Sequence, residues 1–248
     1  VIVGDRVAGS STIAWSDNAM NWTGLGYGGQ IFQQSGYGVT ASTTKFVAVG
    51  INPCLSYSYD GINWTRIDGI FSIAGRGIDW SSSLDIFVAG GVLNNTLAWS
   101  NDGINWVGLG NSVFSLYVHD VVWGTGVANK FVAVGAGTNT IAYSVDGKVW
   151  VGLGTSIFAT EGFSISWNGF KFVAVGSTDG GFVYFNAYSY DGINWSTDDK
   201  LRGASIELVD YVPEINENIY MSVIQNYPGT SDYYLIMVNQ SCTISKKY

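Results

Sequence analysis

The chain alternates short apolar runs with clusters of Gly, Asn, Asp and Ser. "FVAVG" (46–50), "FVAGG" (87–91), "FVAVG" (131–135) and "FVAVG" (172–176) are apolar throughout, and "LAWS" (97–100) and "IAYS" (141–144) are short apolar runs that end in Ser. Apolar runs of this length, bounded by turn residues, predict β-strands. No apolar face recurs at a spacing of 3.6 residues and good helix formers do not cluster, so no helix is predicted. An apolar run with no polar face predicts a strand covered on both sides.

The runs repeat. Aligned on its tryptophan, one phrase occurs five times: "SDNAMNW" (16–22), "SYDGINW" (58–64), "SNDGINW" (100–106), "SVDGKVW" (144–150) and "SYDGINW" (189–195). The tryptophans fall at 22, 64, 106, 150 and 195, at intervals of 42, 42, 44 and 45. A second phrase precedes each copy, as "VIVG" (1–4) and then the FVAVG runs. A third precedes that one, as "GIDW" (77–80), "DVVW" (120–123) and "SISW" (164–167). Three phrases in fixed order at one period define a structural repeat.

Each repeat reads as four strands. Strand A ends near Trp80, Trp123 or Trp167, strand B is the FVAVG run, strand C is LAWS or IAYS, and strand D starts at the repeated tryptophan. Four strands every 42–45 residues is the period of a β-propeller blade. Such a sheet cannot cover both of its own faces, so neighbouring blades must pack face to face. After Trp195 the phrase stops, but "SIELVDYV" (205–212), "NIYMSVI" (218–224), "YYLIMVN" (233–239) and "CTISKKY" (242–248) follow in strand order. The reading is an all-β, single-domain propeller of six four-stranded antiparallel blades, at about 1–24, 36–66, 75–107, 117–151, 162–197 and 204–247. Blade one lacks a strand A before Val1; an upstream segment or the C-terminus is expected to supply it.

The corner phrase explains its own letters. A short carboxylate accepts hydrogen bonds from backbone N–H groups of its own turn, which is the expected role of Asp60, Asp102, Asp146 and Asp191. Gly61, Gly103, Gly147 and Gly192 are expected at positive φ. Trp64, Trp106, Trp150 and Trp195 should cover the edge of each blade core, and the preceding serines should tie strand C to the turn. The first copy has Asn18-Ala19 in place of Asp-Gly. Asn still caps a turn, but Ala tolerates positive φ poorly, so this corner is expected to be looser.

The phrase S-x-D-G-x-x-W resembles the Asp-box, or BNR repeat, of sialidase-like propellers, S-x-D-x-G-x-x-W, one residue shorter between Asp and Trp. The resemblance spans Val1 to about Trp195. It implies a propeller with the box on the C–D turn. The family includes glycoside hydrolases, lectins, sorting receptors and assembly factors, so it implies a fold and not an activity. The wording "FVAVGAGTNTIAYSVDGKVW" also resembles repeat proteins predicted from large DNA viruses.

Composition narrows the function. The net charge is −8 with a pI of about 4.4, and no run of Lys or Arg exceeds Lys246-Lys247. That argues against a nucleic-acid footprint and against an anionic membrane surface. No apolar stretch is long enough for a spanning helix. A single histidine and two distant cysteines, Cys54 and Cys242, give no transition-metal ligand set, and no cofactor is expected. The two cysteines can pair or remain free thiols. Sequons at Asn21, Asn63, Asn94, Asn194 and Asn239 permit an extracellular or virion-surface location.

Binding residues should vary between repeats whose scaffold does not. Four residues before the Trp that ends strand A lie Arg76, His119 and Phe163; alignment adds Tyr37 and Glu207. These five form a candidate polar and aromatic ring at the channel mouth. Tyr27, Asn111 and Glu161 are rim candidates, and Tyr27, Tyr37 or Tyr117 could stack on a sugar. Asp79, Asp120, Glu161, Glu207 and Asp210 lie near strands A, where two carboxylates would serve a hydrolase. The arginine-bearing phrase of sialidases, F-R-I-P, is absent and only four arginines occur. The first reading is therefore a non-enzymatic module that binds a glycan or a protein partner, within a larger assembly if the ring serves as a spacer. A structural or virion-surface scaffold is the alternative, and a sialidase-like glycoside hydrolase comes third.

Overall fold

The computed structural model describes residues 1–4, 11–25, 31–178 and 184–198, together with four strands between 206 and 247. The described residues form antiparallel sheets and no helix. The first sheet has three strands, β1 (Ile2–Val3), β2 (Ile13–Trp15) and β3 (Thr23–Gly24). Two four-stranded sheets follow: β4 (Gly36–Ala41) to β7 (Trp64–Ile67) through β5 (Phe46–Gly50) and β6 (Leu55–Ser58), and β8 (Gly75–Ser81) to β11 (Val107–Gly108) through β9 (Ile86–Gly91) and β10 (Leu97–Ser100).

The next two units are β12 (Tyr117–Gly124), β13 (Lys130–Ala136), β14 (Ile141–Ser144) and β15 (Val151–Gly152), then β16 (Glu161–Trp167), β17 (Phe172–Ser177), β18 (Tyr184–Ser189) and β19 (Ser196–Asp198). They share one eight-stranded sheet through the single pair Ala136↔Glu161. Beyond them β20 (Ile206–Val212) pairs with β21 (Glu217–Ser222), and β22 (Tyr234–Asn239) with β23 (Cys242–Lys247), at the positions where strand runs are expected. The strands A of successive units, β4, β8, β12, β16 and β20, lie against one another in that order. Strand D starts at the repeated tryptophan only in β7; in the next three units it starts one residue later.

The FVAVG run is apolar throughout because its two faces serve different neighbours. Phe and Ala look back to the preceding unit, and the two valines look forward to the next. Thus Phe87 and Ala89 pack with Val47, Val49 and Leu55 of the unit before, while Val88 packs with Val118, Val121 and Trp123 of the unit after. The alternation repeats one unit on, where Phe131 and Ala133 face back and Val132 and Val134 face forward against Ile165, Phe172 and Ala174. Each core is therefore shared between two sheets. On β1, Val1 and Val3 face forward, and Ile2, on the back face, is 48% exposed.

The repeated corners have the expected geometry. In the second unit Asp60 Oδ1 accepts from the N–H groups of Ile62 (2.8 Å) and Asn63 (2.7 Å) and from Ser58 Oγ (2.9 Å), while the Asn63 amide donates to Oδ2 at 2.8 Å. Ser58 Oγ accepts from Gly61 N, and the Trp64 indole N–H closes the turn on Gly61 O at 3.1 Å. Asp102, Asp146 and Asp191 accept from their own turns in the same way. Trp150 and Trp195 repeat the indole bond, whereas the Trp106 indole nitrogen is buried without a partner. All four tryptophans are half-buried at the edge of a core. In the first copy Asn18 replaces the carboxylate as acceptor and Ala19 adopts φ 57°, a conformation that strains a residue with a Cβ by about 1 kcal/mol or more. Trp22 there is 42% exposed.

The corners also join the sheets, a role the sequence reading did not assign to them. A methyl group on Gly103 would lie 2.8 Å from Val47 Cγ2 of the preceding unit. The corresponding contacts are Gly61 with Val1 (2.9 Å), Gly147 with Val88 (2.8 Å) and Gly192 with Val132 (2.8 Å). The valine is the same residue of strand B each time. Lys45 adds a hydrogen bond from its Nζ to Asp102 O at 2.5 Å. Glycine is required at the corner twice over, by φ of 67–74° and by the absence of room for a side chain.

Gly103→Ala should lower the unfolding free energy by about 2–4 kcal/mol, combining left-handed strain with overpacking, as read by urea denaturation; a loss below about 0.5 kcal/mol would contradict the contact. Asp102→Asn should lower the melting temperature and leave Asp79→Asn, outside any corner, as the milder change at pH 7.

Candidate functional site

The five variable positions share a backbone feature that sequence could not reveal. Each strand A carries one register shift against strand B: between Gly36 and Gly38, Gly75 and Ile78, Val118 and Asp120, Gly162 and Ser164, and Ile206 and Leu208. Tyr37, Arg76, His119, Phe163 and Glu207 fall within these shifts. A β-bulge releases a residue from the ladder and re-aims its side chain, and bulges recur next to sites. The scaffold thus offers an exempted position in each unit, where the residue can change without disturbing pairing; in the third unit Gly77 is unpaired beside Arg76. The side chain of Glu207 lies outside the described residues, as do Tyr27 and the side chain of Asp210.

Three of the five come together. Arg76 Nη1 lies 2.6 Å from His119 Nδ1, and the His119 ring lies 5.9 Å from that of Phe163. The cluster extends through residues at the first position of the next strands. Tyr117 OH donates to Glu161 Oε2 at 2.7 Å, His119 Nε2 is 3.4 Å from the same oxygen, and the Arg76 guanidinium sits 5.3 Å from the centre of the Tyr117 ring. Tyr117 and Glu161 occupy equivalent repeat positions, two before the bulge. Tyr37 is 45% exposed on its own strand. Glu161 is a strand residue rather than a rim-loop one.

The geometry fixes the histidine's state. Arginine only donates, so Nδ1 is the unprotonated nitrogen and Nε2–H faces Glu161. Burial and the nearby Arg76 charge pull the His119 pKa down to about 4, with Glu161 opposing. Burial and the bond to Glu161 push the Tyr117 hydroxyl up to about 12. At neutral pH the imidazole is therefore neutral and the Tyr117 hydroxyl keeps its proton. Among the described residues the buried Arg76 Nε has no hydrogen-bond partner, and no carboxylate lies within ion-pair distance of this guanidinium.

Asp79 and Asp120 play a different part from the paired carboxylates of a hydrolase. Asp79 Oδ2 accepts from Trp123 N at 2.7 Å, and Asp120 Oδ2 accepts from Ile165 N and Ser164 Oγ, both at 3.0 Å. Each therefore ties its strand A to the next. Asp120 also lies over Gly77, where a methyl group would meet its Cα at 2.5 Å. Desolvation pushes both pKa values up to about 6 against these hydrogen bonds. Arg66 stands on β7 at the outer edge, 3.8 Å from Asp68. Cys54 is a free thiol bonded to Phe71 O at 3.2 Å, its pKa raised by burial; the side chain of Cys242 lies outside the described residues. Among the described residues no group of His, Cys, Asp and Glu could hold a metal ion.

A fourth repeated phrase escaped the sequence reading. Phe32, Phe71, Phe114 and Phe158, from "IFQQ", "IFSI", "VFSL" and "IFAT", are all buried at the start of the segment leading into strand A. Their carbonyls accept from Thr12, Thr96 and Thr140 in three units (3.2, 2.9 and 2.7 Å), which holds the connection before the bulge in place. The signal was an apolar residue followed by Phe at the repeat period.

No family model matches the sequence, and the search of curated proteins returned no match. Solved structures do match. YCF48 from Cyanidioschyzon merolae aligns with 84% of this chain and 70% of its own at a TM-score of 0.56 and 11% identity. A structure titled YCF48 bound to D1 peptide aligns over 86% and 72% at 0.56 and 14% identity, and Kuenenia stuttgartiensis hydrazine synthase over 84% and 64% at 0.55 and 11%. At these identities the likeness concerns fold alone, and the fold is that of a β-propeller.

Buried carboxylates with raised pKa values stabilise the native state as they take up protons, so their contribution grows as pH falls from about 6 toward the unfolded value near 4. His119, with a lowered pKa, acts in the opposite sense between about 6.5 and 4. Differences between variants separate the two. Wild type should gain about 2 kcal/mol on Asp79→Asn between pH 7 and pH 4.5 in thermal melts; a difference that does not change with pH would contradict the burial of this carboxylate. Below pH 4 the corner carboxylates, held under their ordinary range by their turn bonds, should cost stability as they protonate.

Proposed function

We propose that the chain is a six-bladed propeller of the Asp-box type, with four-stranded blades over the ranges given above, that binds a protein partner through the end of the ring where the bulges lie. The carrying observation is the set of bulges. Five units place a different residue at a position the ladder leaves free, and three of these residues meet in a single cluster with Tyr117 and Glu161.

The composition of the cluster suits an interface. Arg and Tyr dominate binding hot spots, and the Arg76 Nε has no partner among the described residues. The half-buried Tyr117 and Phe163 supply rigid apolar area in the cluster, and Tyr37 stands 45% exposed on the neighbouring strand A. Asp79 and Asp120 are engaged in holding strands A together, which favours binding over carboxylate chemistry at this end. The likeness to a propeller solved with a bound peptide agrees with this reading. The location proposed is extracellular or on a virion surface, where a rigid ring can present one face to a partner.

Peptides selected from a displayed random library on the immobilised chain should lose at least about tenfold in affinity with Arg76→Ala and with Tyr117→Ala, at unchanged melting temperature. Selected peptides that bind both variants as tightly as wild type would overturn the assignment of this end as the partner site.

A further inference from the structure

The corner phrase occurs twice as the identical octet "YSYDGINW", at 57–64 and at 188–195. Its second tyrosine has no part in the corner. Asn101 and Val145 replace it in the units between, and those corners make the same hydrogen bonds. Yet Tyr59 and Tyr190 are 63% and 51% exposed, an arrangement that stability does not ask for.

Both rings are held in place from beneath. Tyr57 meets Tyr59 edge-on at 5.7 Å and 87°, and Tyr188 meets Tyr190 at 5.8 Å and 80°. A lysine accompanies each pair: Lys45 Nζ lies 5.1 Å from the Tyr59 ring, and Lys171 Nζ lies 4.8 Å from the Tyr188 ring. In the second copy Phe170, 67% exposed, packs against Tyr190 at 5.2 Å and widens the aromatic surface. Next in the chain to each exposed tyrosine is a carboxylate paired with an exposed asparagine, Asp60 with Asn63 and the half-buried Asp191 with Asn194, each Oδ2 accepting one bond from its asparagine.

We infer that these two corners are equivalent carbohydrate-binding sites. Each offers an exposed tyrosine ring for the C–H face of a sugar ring, with an asparagine amide and a carboxylate next to it in the chain for hydroxyl groups; Lys45, over the Tyr59 ring and bonded to Asp102 O, and Lys171, over the Tyr188 ring, brace the two pairs. The corners are the turns of the C–D hairpins. A net charge of −8 opposes nucleic acid as the stacking ligand. Two sites built on the same octet in separate units match a ligand that itself repeats, and binding both at once multiplies affinity without new contacts. The sites lie at the opposite end of the sheets from the bulges, because in an antiparallel four-stranded unit the C–D hairpin and the start of strand A are at opposite ends. The inference does not rest on the peptide-binding reading.

The test is a printed glycan array probed with wild type, Tyr59→Ala, Tyr190→Ala and the double variant, with thermal melts of all four. Wild type should bind at least one class of immobilised oligosaccharide. Each single variant should lose about 10²-fold in avidity on the surface while keeping the same Kd for the soluble oligosaccharide at its remaining site. The double variant should not bind, with unchanged melting. Periodate oxidation of the glycans should abolish wild-type binding. Absence of wild-type binding to every glycan, binding that survives the double variant, or binding that survives periodate would each overturn the inference. Loss of binding in Arg76→Ala with the double variant still binding would place the sugar at the bulge end instead, and would overturn it too.

Discussion

The structure depends on a contact between a residue without a side chain and a valine one sheet away. Each corner glycine sits at positive φ and rests on the same forward-facing valine of strand B in the preceding unit. Asp and Ser fix the turn so that its glycine faces inward, and the tryptophan covers the edge of the core that this contact closes. The hairpin tip of one sheet thereby sets the distance to the next. In a repeat array, stability is largely a sum of such nearest-neighbour terms. A contact repeated at four successive junctions is therefore felt across the first five units.

With spacing set at the corners, the other ends of the sheets are free to vary. The bulge exempts a residue of each strand A from the ladder, and tyrosine, arginine, histidine, phenylalanine and glutamate occupy that position in successive units. Where the scaffold needs chemistry near this end, it uses backbone-directed carboxylates. Asp79 and Asp120 bond the N–H groups of the following strand and hold the inner strands in order. Their raised pKa values follow from burial and belong to architecture, whereas the Arg76 to Glu161 cluster includes a buried Arg76 Nε with no partner among the described residues.

Much of the fold was legible in the sequence because a repeat multiplies every signal. The Asp, Gly and Trp of the corner read directly as carboxylate cap, positive φ and edge cover. The Ala19 departure was legible in the same terms, and Ala19 does adopt the left-handed conformation. The apolar FVAVG run predicted a strand covered on both sides, but not that Phe and Ala face one neighbour and the valines the other. That assignment depends on which way each sheet is stacked. The variable positions Arg76, His119 and Phe163 were found by counting back from a tryptophan. Their shared bulge was invisible, since a register shift is a property of two strands. Tyr117 and Glu161 were noted separately for other reasons, and only the packing of adjacent strands A joins them to His119. The buried phenylalanines of the connecting segments repeat as plainly as the corners, but as two-letter apolar phrases they carry no turn chemistry to draw notice.

The contact between corner and sheet is tested most directly by a double-mutant cycle between Gly103 and Val47, measured by urea denaturation. If the corner rests on this valine, Val47→Ala should make room for the methyl group of Gly103→Ala. The double variant should then be less destabilised than the sum of the single changes by at least about 1 kcal/mol. Strictly additive losses would mean that the corner fastens only its own hairpin and that the sheets are spaced by something else.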